Sequence, residues 1–246
     1  MKYDLVIFGG GTSGIACAYI ASKYGLNTLL VEKTDVLGGA MTQGLVVPSM
    51  KVNTEKINTE FFSDLKTYSD KYDARCTYCD GNEAWFNPEL LKIVLDKMLT
   101  SVKCNILFSS EPVNIIQSNK NANFSINVKH KILSLCIETK YIVDATANGE
   151  IFKILNCDFQ KNENKMQNPG MRFIISGIDI NKFSTWLKSI DLDRNVTTVC
   201  NIDGYTYLST AYTWDKTKNW ALAPIFERAV SDKVLEYEDT AYFQVF

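Results

Sequence analysis

Histidine is almost absent from this 246-residue sequence, which contains one, His130. It lies between two lysines at the predicted end of a strand, and we interpret it as a solvated surface side chain. A mechanism that depends on a histidine general acid or base is therefore disfavoured. Basic charge is not in excess either, since 26 Lys and Arg residues stand against 28 Asp and Glu residues. This balance argues against a nucleic-acid partner.

Long apolar runs are missing as well. No uninterrupted run approaches the roughly 18 apolar residues of a membrane span. The first predicted strand follows Met1 directly and leaves no room for a signal peptide, so we expect a cytoplasmic protein whose seven cysteines are reduced. Cys76 and Cys79 are the one close pair, and the other cysteines are scattered, so we predict no metal site. A redox role for this pair stays open, although ordinary thiols are the preferred interpretation.

The N-terminal segment is an apolar strand that runs into a glycine-rich turn. Leu5–Phe8 is apolar throughout, as in a central parallel strand, and Gly9–Gly14 has the pattern Gly-x-Gly-x-x-Gly. In such a turn the first glycine allows a sharp bend, the second lets the backbone approach a pyrophosphate, and the third lets a helix pack closely on the sheet. The residues predicted to hold a pyrophosphate are Gly9, Gly11, Thr12, Ser13 and Gly14.

The elements that follow complete a βαβ unit. A helix is predicted over Thr12–Tyr24, ended by Gly25, and a second strand over Asn27–Val31. Glu32 stands 18 residues beyond Gly14, close to the spacing of about 20 expected for a carboxylate that binds a ribose hydroxyl. An acidic residue here disfavours a 2′-phosphate. We therefore predict a bound dinucleotide.

A second glycine-rich stretch, Lys33–Gly44, stands where a nicotinamide-binding domain would usually continue into a helix. With its Glu-Lys-x4-Gly-Gly pattern the sequence resembles the FAD-dependent oxidoreductases of the glutathione-reductase-like flavoprotein superfamily, near the fumarate-reductase-like and tRNA-modifying flavoproteins. The resemblance implies that the cofactor is FAD. It assigns to the surroundings of the FAD the residues Glu32, Lys33, Gly38, Gly39, Ala40, Met41, Thr42 and Gln43.

Two downstream segments extend the resemblance. Tyr141–Glu150 is similar to the family's apolar strand followed by Asp-Ala-Thr-Gly and an acid, with Ala147 where glycine is usual. This likeness implies that Ala145 and Thr146 lie beneath the FAD. Val113 matches the position at which family members contact adenine through the backbone, so the resemblance implies an adenine contact there.

The order of predicted elements indicates an α/β fold. We predict a Rossmann-like FAD/NAD(P)-binding domain at residues 1–165, with a parallel sheet and an inserted antiparallel β-meander, and a partial α+β substrate domain at residues 166–246. Further predicted helices are 54–72, 88–102, capped by Asn87, and 179–190, capped by Asp179. Further predicted strands are 105–108, 113–117, 124–129, 132–138, 141–145, 171–175 and those within 196–213.

Catalytic residues are not evident, and Arg172 is the single weak candidate. An arginine in the substrate domain could bind a carboxylate or stabilise negative charge on reduced flavin. Pairing with one of the 28 acidic residues is the preferred interpretation.

The sequence thus predicts an FAD-dependent oxidoreductase that transfers a hydride or two electrons between a small organic substrate and an unidentified acceptor through the flavin. An NAD-dependent dehydrogenase and a truncated, non-catalytic nucleotide-binding protein are the alternatives. The latter stays open because nothing after Glu150 matches the family's C-terminal flavin-binding segment. We expect the N-terminal part of a longer flavoprotein or a shortened member of the family, and homo-oligomerisation is left open.

Overall fold

The computed structural model describes residues 1–50, 57–74, 77–78, 83–117, 123–158, 179, 181–182, 185, 197–202, 205–210 and 230–233. The chain divides into two units, Met1–Lys161 and Asn162–Phe246. Assignment of the second unit as a substrate domain stays a prediction. Outside the described residues lie Arg172, Cys76, Cys79 and the predicted strand 171–175.

The first unit contains the predicted helices and strands in the predicted order, together with three short strands and a short helix that were not predicted. Its helices are α1 (Thr12–Lys23), α2 (Ile57–Lys71), α3 (Pro88–Ser101) and α4 (Glu150–Ile154), with a 3-10 turn at Gly39–Met41. Its strands are β1 (Lys2–Phe8), β2 (Thr28–Val31), β3 (Pro48–Met50), β4 (Thr77–Tyr78), β5 (Glu83–Trp85), β6 (Asn105–Leu107), β7 (Ser110–Gln117), β8 (Phe124–His130) and β9 (Leu133–Asp144).

Six of the strands form one mixed sheet in the order β6-β2-β1-β9-β8-β7. Strands β6, β2, β1 and β9 are parallel, whereas β9, β8 and β7 are antiparallel neighbours. A parallel sheet with an inserted antiparallel meander confirms the predicted Rossmann-like α/β class. Strands β3, β5 and β4 form a separate small antiparallel sheet.

Strand β9 differs from the prediction of two strands at 132–138 and 141–145, because it runs without a break from Leu133 to Asp144. The polar residues in its middle are not a turn. Thr139 is buried and pairs with both Phe124 of β8 and Tyr3 of β1. The strand therefore changes partners at this point, from the meander to the parallel sheet, while its backbone continues.

The two faces of the parallel sheet are covered by different layers. Leu5, Ile7 and Leu30 face α1, α2 and α3, whereas Val6, Phe8, Leu29 and Val31 face the meander. On the helical side the buried partners include Ile15, Phe61, Leu91, Leu95 and Met98. On the meander side they are Ile115, Ile126, Val128, Ile137 and Ile151. Because both faces are covered, β1 and β2 are apolar throughout.

Helix α3 begins as its sequence predicts. The Asn87 side chain accepts hydrogen bonds from the N–H groups of Glu89 and Leu90, and Pro88 occupies the first helical position, where no N–H is needed. None of the helices in the described part of the chain is long and apolar enough to cross a membrane.

In the second unit, β10 (Thr197–Ile202) and β11 (Tyr205–Thr210) form an antiparallel hairpin within the stretch 196–213 where strands were predicted. Asp179, the predicted helix cap, accepts a hydrogen bond of 3.0 Å from the N–H of Lys182.

Candidate functional site: a dinucleotide cradle at the end of β1

The segment Gly9–Gly11 connects β1 to α1. The three motif glycines, Gly9, Gly11 and Gly14, differ in their surroundings. A Cβ atom on Gly9, whose φ is +98°, would lie 2.4 Å from the carbonyl oxygen of Ala145, and one on Gly14 would lie 1.8 Å from the carbonyl oxygen of Gly9. A Cβ atom on Gly11 would meet no atom of the described residues within 4 Å. Gly9 and Gly14 are thus required by contacts within the protein, whereas Gly11 borders open space.

The N-terminus of α1 borders the same space. Gly11 is the N-cap, no side chain caps the helix, and its first turn contains no acidic residue. Thr12 and Ser13 are exposed. The first N–H groups of a helix lack intrahelical partners and carry partial positive charge, so this helix end suits a phosphate.

Glu32 lies directly after β2 and is only 8% exposed. Its carboxylate accepts three hydrogen bonds from the protein. Its Oε2 accepts a bond of 2.6 Å from the N–H of Gly10, and its Oε1 accepts bonds of 2.8 Å from both the N–H and the hydroxyl of Thr34. The hydroxyl shares its one hydrogen with the carbonyl oxygen of Val36, 3.0 Å away. A carboxylate has about four acceptor positions, two on each oxygen. One acceptor position on Oε2 therefore has no donor among the described residues.

The second glycine-rich stretch lies directly against the first. The N–H of Gly38 donates to the carbonyl oxygen of Gly10 at 2.8 Å. Gly38 has a φ of +106°, and a Cβ atom on Gly39 would lie 3.1 Å from the Cα atom of Gly11. The two predicted loops thus form one surface around Gly11.

The remaining predicted residues of this stretch are of two kinds. Thr42 is buried, and its hydroxyl donates to the carbonyl oxygen of Leu37, so its side chain stabilises the turn. Met41 is half-buried and packs against the helical side of the core. Lys33, Ala40 and Gln43 are exposed.

The turn after β9 contacts the glycine loop through Ala145. The N–H of Ala145 donates to the carbonyl oxygen of Phe8 at 2.8 Å. Thr146 is instead occupied within its own turn, since its hydroxyl donates to Asp144 at 2.6 Å and accepts from the N–H of Glu150 at 2.9 Å. The predicted pair therefore divides into one residue against the loop and one residue that stabilises the turn.

Asp144 organises this turn, a role that the sequence reasoning missed. Its Oδ1 accepts from the N–H and the hydroxyl of Thr146, and its Oδ2 accepts from the N–H groups of Ile151 and Phe152 at the start of α4. An aspartate two residues before a threonine is a recognisable signal for such a side-chain-to-backbone turn. Gly149, not Ala147, is the left-handed residue here, with a φ of +62°.

Val113, the predicted adenine contact, lies on β7 at a bulge between Pro112 and Asn114 and is 60% exposed. The start of the same strand is bonded to the site, since the N–H of Ser110 donates to the carbonyl oxygen of Glu32 at 3.0 Å.

Gly10 and Thr34 were also missed by sequence reasoning, because their contacts with Glu32 depend on how the loops fold together.

These features define the class of the protein. An apolar βαβ unit, an open glycine at a helix N-terminus, an acid with a free acceptor position and an inserted meander together form the dinucleotide-binding domain of a flavoprotein.

The model of the family described as FAD dependent oxidoreductase matches residues 4–241. The chain belongs to this family. The family match favours FAD as the cofactor over the NAD of a dehydrogenase.

Curated relatives match parts of the chain. The thiamine thiazole synthase of Solidesulfovibrio magneticus is 28% identical over 184 residues, which cover 69% of this chain and 65% of that protein. The enzyme of the same name from Pyrococcus abyssi is 23% identical over 158 residues, 61% of this chain and 59% of that protein. A short match of 37 residues, 51% identical, is to the ferredoxin–NADP reductase of Mycoplasmoides gallisepticum and covers 15% of this chain and 11% of that protein. The chain thus spans less than two thirds of these relatives' lengths.

Solved structures were also compared with this chain. The anhydrotetracycline hydroxylase OxyS from Streptomyces rimosus superposes with a TM-score of 0.51 at 15% identity, covering 66% of this chain and 35% of that chain. THI4 from Thermovibrio ammonificans gives a TM-score of 0.49 at 15% identity, covering 63% of this chain and 62% of that chain. At such identity the likeness of OxyS to this chain is one of fold alone.

Proposed function

We propose that the first unit binds the ADP part of FAD between the N-terminus of α1 and the Glu32 carboxylate, and that the protein uses the bound flavin to oxidise or reduce a small organic molecule. The observation that carries the proposal is the open space at Gly11, next to Gly10, whose N–H donates to Glu32 Oε2. A pyrophosphate requires close approach of backbone N–H groups, and a ribose requires an acceptor for its hydroxyls.

The charges around the cradle suit this ligand. The pyrophosphate would lie at the positive end of the α1 dipole, where the first turn carries no acidic side chain. The negative charge of Glu32 is stabilised by its three hydrogen-bond donors, and one acceptor position on its carboxylate would bind the ribose. The Gly38–Met41 segment, next to Gly11, would then border the part of the cofactor beyond the pyrophosphate.

When bound, FAD supplies transfer of a hydride or of two electrons, and the protein supplies orientation and charge. We propose that the second unit, Asn162–Phe246, contributes contacts to the substrate, with Arg172 as a candidate partner for a carboxylate or for negative charge on reduced flavin. The acceptor of the electrons is a second small molecule or a partner protein.

Substitution of Gly11 by Ala tests the location of the cofactor. Gly11 has an extended backbone, with φ −76° and ψ −173°, and a Cβ atom there would meet nothing within 4 Å in the described part of the chain. We expect the apoprotein to keep its free energy of unfolding within about 0.5 kcal/mol. We expect the affinity for FAD to fall at least about tenfold, because the methyl group would occupy the space of the pyrophosphate.

The matched variant is Gly14→Ala, in which the added Cβ atom would overlap the carbonyl oxygen of Gly9. It should destabilise the apoprotein by about 2–3 kcal/mol. Flavin absorbance after reconstitution with FAD measures binding, and urea denaturation measures stability. Undiminished FAD binding by Gly11→Ala would contradict the proposed site, and a colourless wild-type protein that takes up no FAD would contradict the proposed function.

A further inference from the structure

His130 is half-buried and takes part in a hydrogen-bond network at the edge of the cofactor cradle, in contrast to the predicted solvated side chain. It is the last residue of β8 and lies directly opposite Ser110, the first residue of β7. The turn that precedes β7 joins it to β6 through Phe108 and Ser109. His130 therefore stands beside the point where the chain passes from the parallel sheet into the meander.

Three polar atoms form a closed triangle at this point. The Ser110 hydroxyl donates to the Phe108 carbonyl oxygen at 2.7 Å. The His130 Nδ1 lies 3.0 Å from the same oxygen and 2.8 Å from the Ser110 Oγ. A carbonyl oxygen only accepts, so its contact requires a hydrogen on Nδ1, which also faces the Ser110 Oγ. The His130 ring thus bonds to the turn through both Phe108 and Ser110.

The turn held by this triangle is bonded to the segment that carries the ribose-binding acid. The N–H of Ser110 donates to the carbonyl oxygen of Glu32 at 3.0 Å, and the N–H of Ser109 donates to the carbonyl oxygen of Thr34 at 2.8 Å. Ser109 has a φ of +49°, a left-handed conformation that is unfavourable for a residue other than glycine. The turn therefore needs outside contacts to hold its shape, and His130 supplies one of them.

We propose that His130 is a positioning residue for the adenosine side of the cofactor, because its Nδ1–H fixes the turn 108–110, which in turn fixes the backbone of Glu32 and Thr34. Thr34 donates two of the three hydrogen bonds that orient the Glu32 carboxylate. A shift of the turn would thus be passed to the oxygen that accepts from the ribose. This inference rests on the proposed binding of ADP at Glu32.

Substitutions of His130 separate the hydrogen bond from the bulk of the ring. Asn places an amide nitrogen close to the position of Nδ1, whereas Gln places it close to that of Nε2, and Ala removes both. We expect His130→Asn to bind ADP with an affinity within about threefold of the wild type, and His130→Gln and His130→Ala to bind ADP about tenfold more weakly, the effect of one lost hydrogen bond. Isothermal titration with ADP measures these affinities, and thermal unfolding without ligand reports on the fold.

Two further variants identify the route of the effect. Lys129→Ala, an exposed neighbour on the same strand, should leave ADP binding unchanged. In a Glu32→Gln background, His130→Ala should cost less ADP affinity than in the wild type, because residues that act through one another are not additive.

If all three His130 variants bound ADP as tightly as the wild type, the proposal would be overturned. Equal weakening by Asn, Gln and Ala would also overturn it, because it would indicate a role for the ring in packing alone. A wild-type protein that binds neither ADP nor FAD would overturn the proposed function together with this inference. Wild-type ADP binding combined with unaffected variants would overturn this inference while leaving the proposed function standing.

Discussion

Glu32 illustrates how a single side chain serves both the fold and the site. Its carboxylate joins the Gly10 loop to the Thr34 turn. Its backbone N–H donates to the carbonyl oxygen of Leu107, and its carbonyl oxygen accepts from the N–H of Ser110. A residue chosen only for ribose binding would not need these contacts. The proposed cradle is therefore formed by contacts within the protein, which would reduce the entropy that cofactor binding must overcome.

Substitution of Glu32 by Gln should affect stability as well as binding. An amide NH2 group in place of one oxygen would face an N–H donor, either that of Gly10 or that of Thr34. We expect the apoprotein to lose about 1–3 kcal/mol, because a buried donor is left without a partner and charge assistance is lost. Urea denaturation without cofactor measures this loss, and titration with FAD measures the weaker binding.

Thr34→Ala is the control for this prediction. It removes one donor from Oε1 but leaves Oε2 and its bond to Gly10 unchanged. We expect a loss of about 1 kcal/mol in stability and a smaller loss of FAD affinity than in Glu32→Gln. Equal stability of wild type and Glu32→Gln would show that the three hydrogen bonds contribute little to the fold.

Among the elements, α1 and α2 are joined by a cluster of charged and phenolic side chains. Lys23 lies 2.5 Å from Asp64 and 2.6 Å from Glu60, and the Tyr19 hydroxyl donates to Asp64 at 3.0 Å. The hydrogen bond from Lys23 is the main cause that lowers the pKa values of Asp64 and Glu60, and its two carboxylate partners raise the pKa of Lys23. Burial, together with the Asp64 carboxylate, raises the pKa of Tyr19 to about 12.

These shifts predict a pH dependence of stability. Because the folded pKa values of Asp64 and Glu60 are lowered, their contribution is present above their unfolded pKa values, roughly pH 4, and is lost as the pH falls through the folded values. The raised pKa of Lys23 has the opposite sign, so its contribution is lost only as the pH rises through a value above the ordinary lysine range. The cluster should therefore contribute fully between about pH 5 and pH 10.

Asp64→Asn tests this pH dependence. The cluster is partly exposed, so we expect a loss of at most about 1 kcal/mol at pH 7, and the difference from wild type should shrink as the pH is lowered below about 4. Urea denaturation at several pH values measures it. Asp70→Asn, which removes an exposed pair with Lys66 on the same helix, should change stability by less than about 0.5 kcal/mol. A loss in Asp64→Asn that does not vary with pH would contradict the electrostatic explanation.

The secondary structure shows which elements local patterns could predict. Helix α1 has a glycine at each end, Gly11 and Gly25, and α3 begins with the cap Asn87 and Pro88. The bounds of both helices lie within a residue or two of the prediction. Strand β9 has no such signal, because its polar centre resembles a turn and is buried only by its neighbours. Local sequence reports on caps and turns, but the length of a strand depends on its pairing partners.

For the whole molecule, the described residues of both apolar clusters belong to the first unit. Among the residues that the structure describes, the buried members of the helical and meander clusters come from the range 5–151, and the cradle lies within the same range. A unit with its own core on both faces of its sheet has what independent folding requires.

We therefore predict that residues 1–161, produced alone, fold and bind ADP. Unfolding should be a single cooperative transition, and the dissociation constant for ADP should lie within about threefold of that of the full chain. Circular dichroism during urea denaturation and titration with ADP measure the two quantities. A fragment that fails to unfold cooperatively would show that the second unit contributes to the core of the first. Oxidoreductase turnover by the fragment is not expected, since the proposed substrate contacts lie beyond it.

The sequence by itself determined the βαβ unit, the positions of the motif glycines and the acid after β2, because backbone conformation at glycine and capping at helix ends are local properties. The resemblance built on these residues also led to FAD. The tertiary structure alone decided which donors reach each oxygen of Glu32, where Asp144 directs its carboxylate, and that the His130 ring contacts the turn 108–110. Those outcomes depend on hydrogen bonds between residues distant in the chain, such as Glu32 with Gly10 and His130 with Phe108. Such pairs form only when the sheet brings the ends of its strands together.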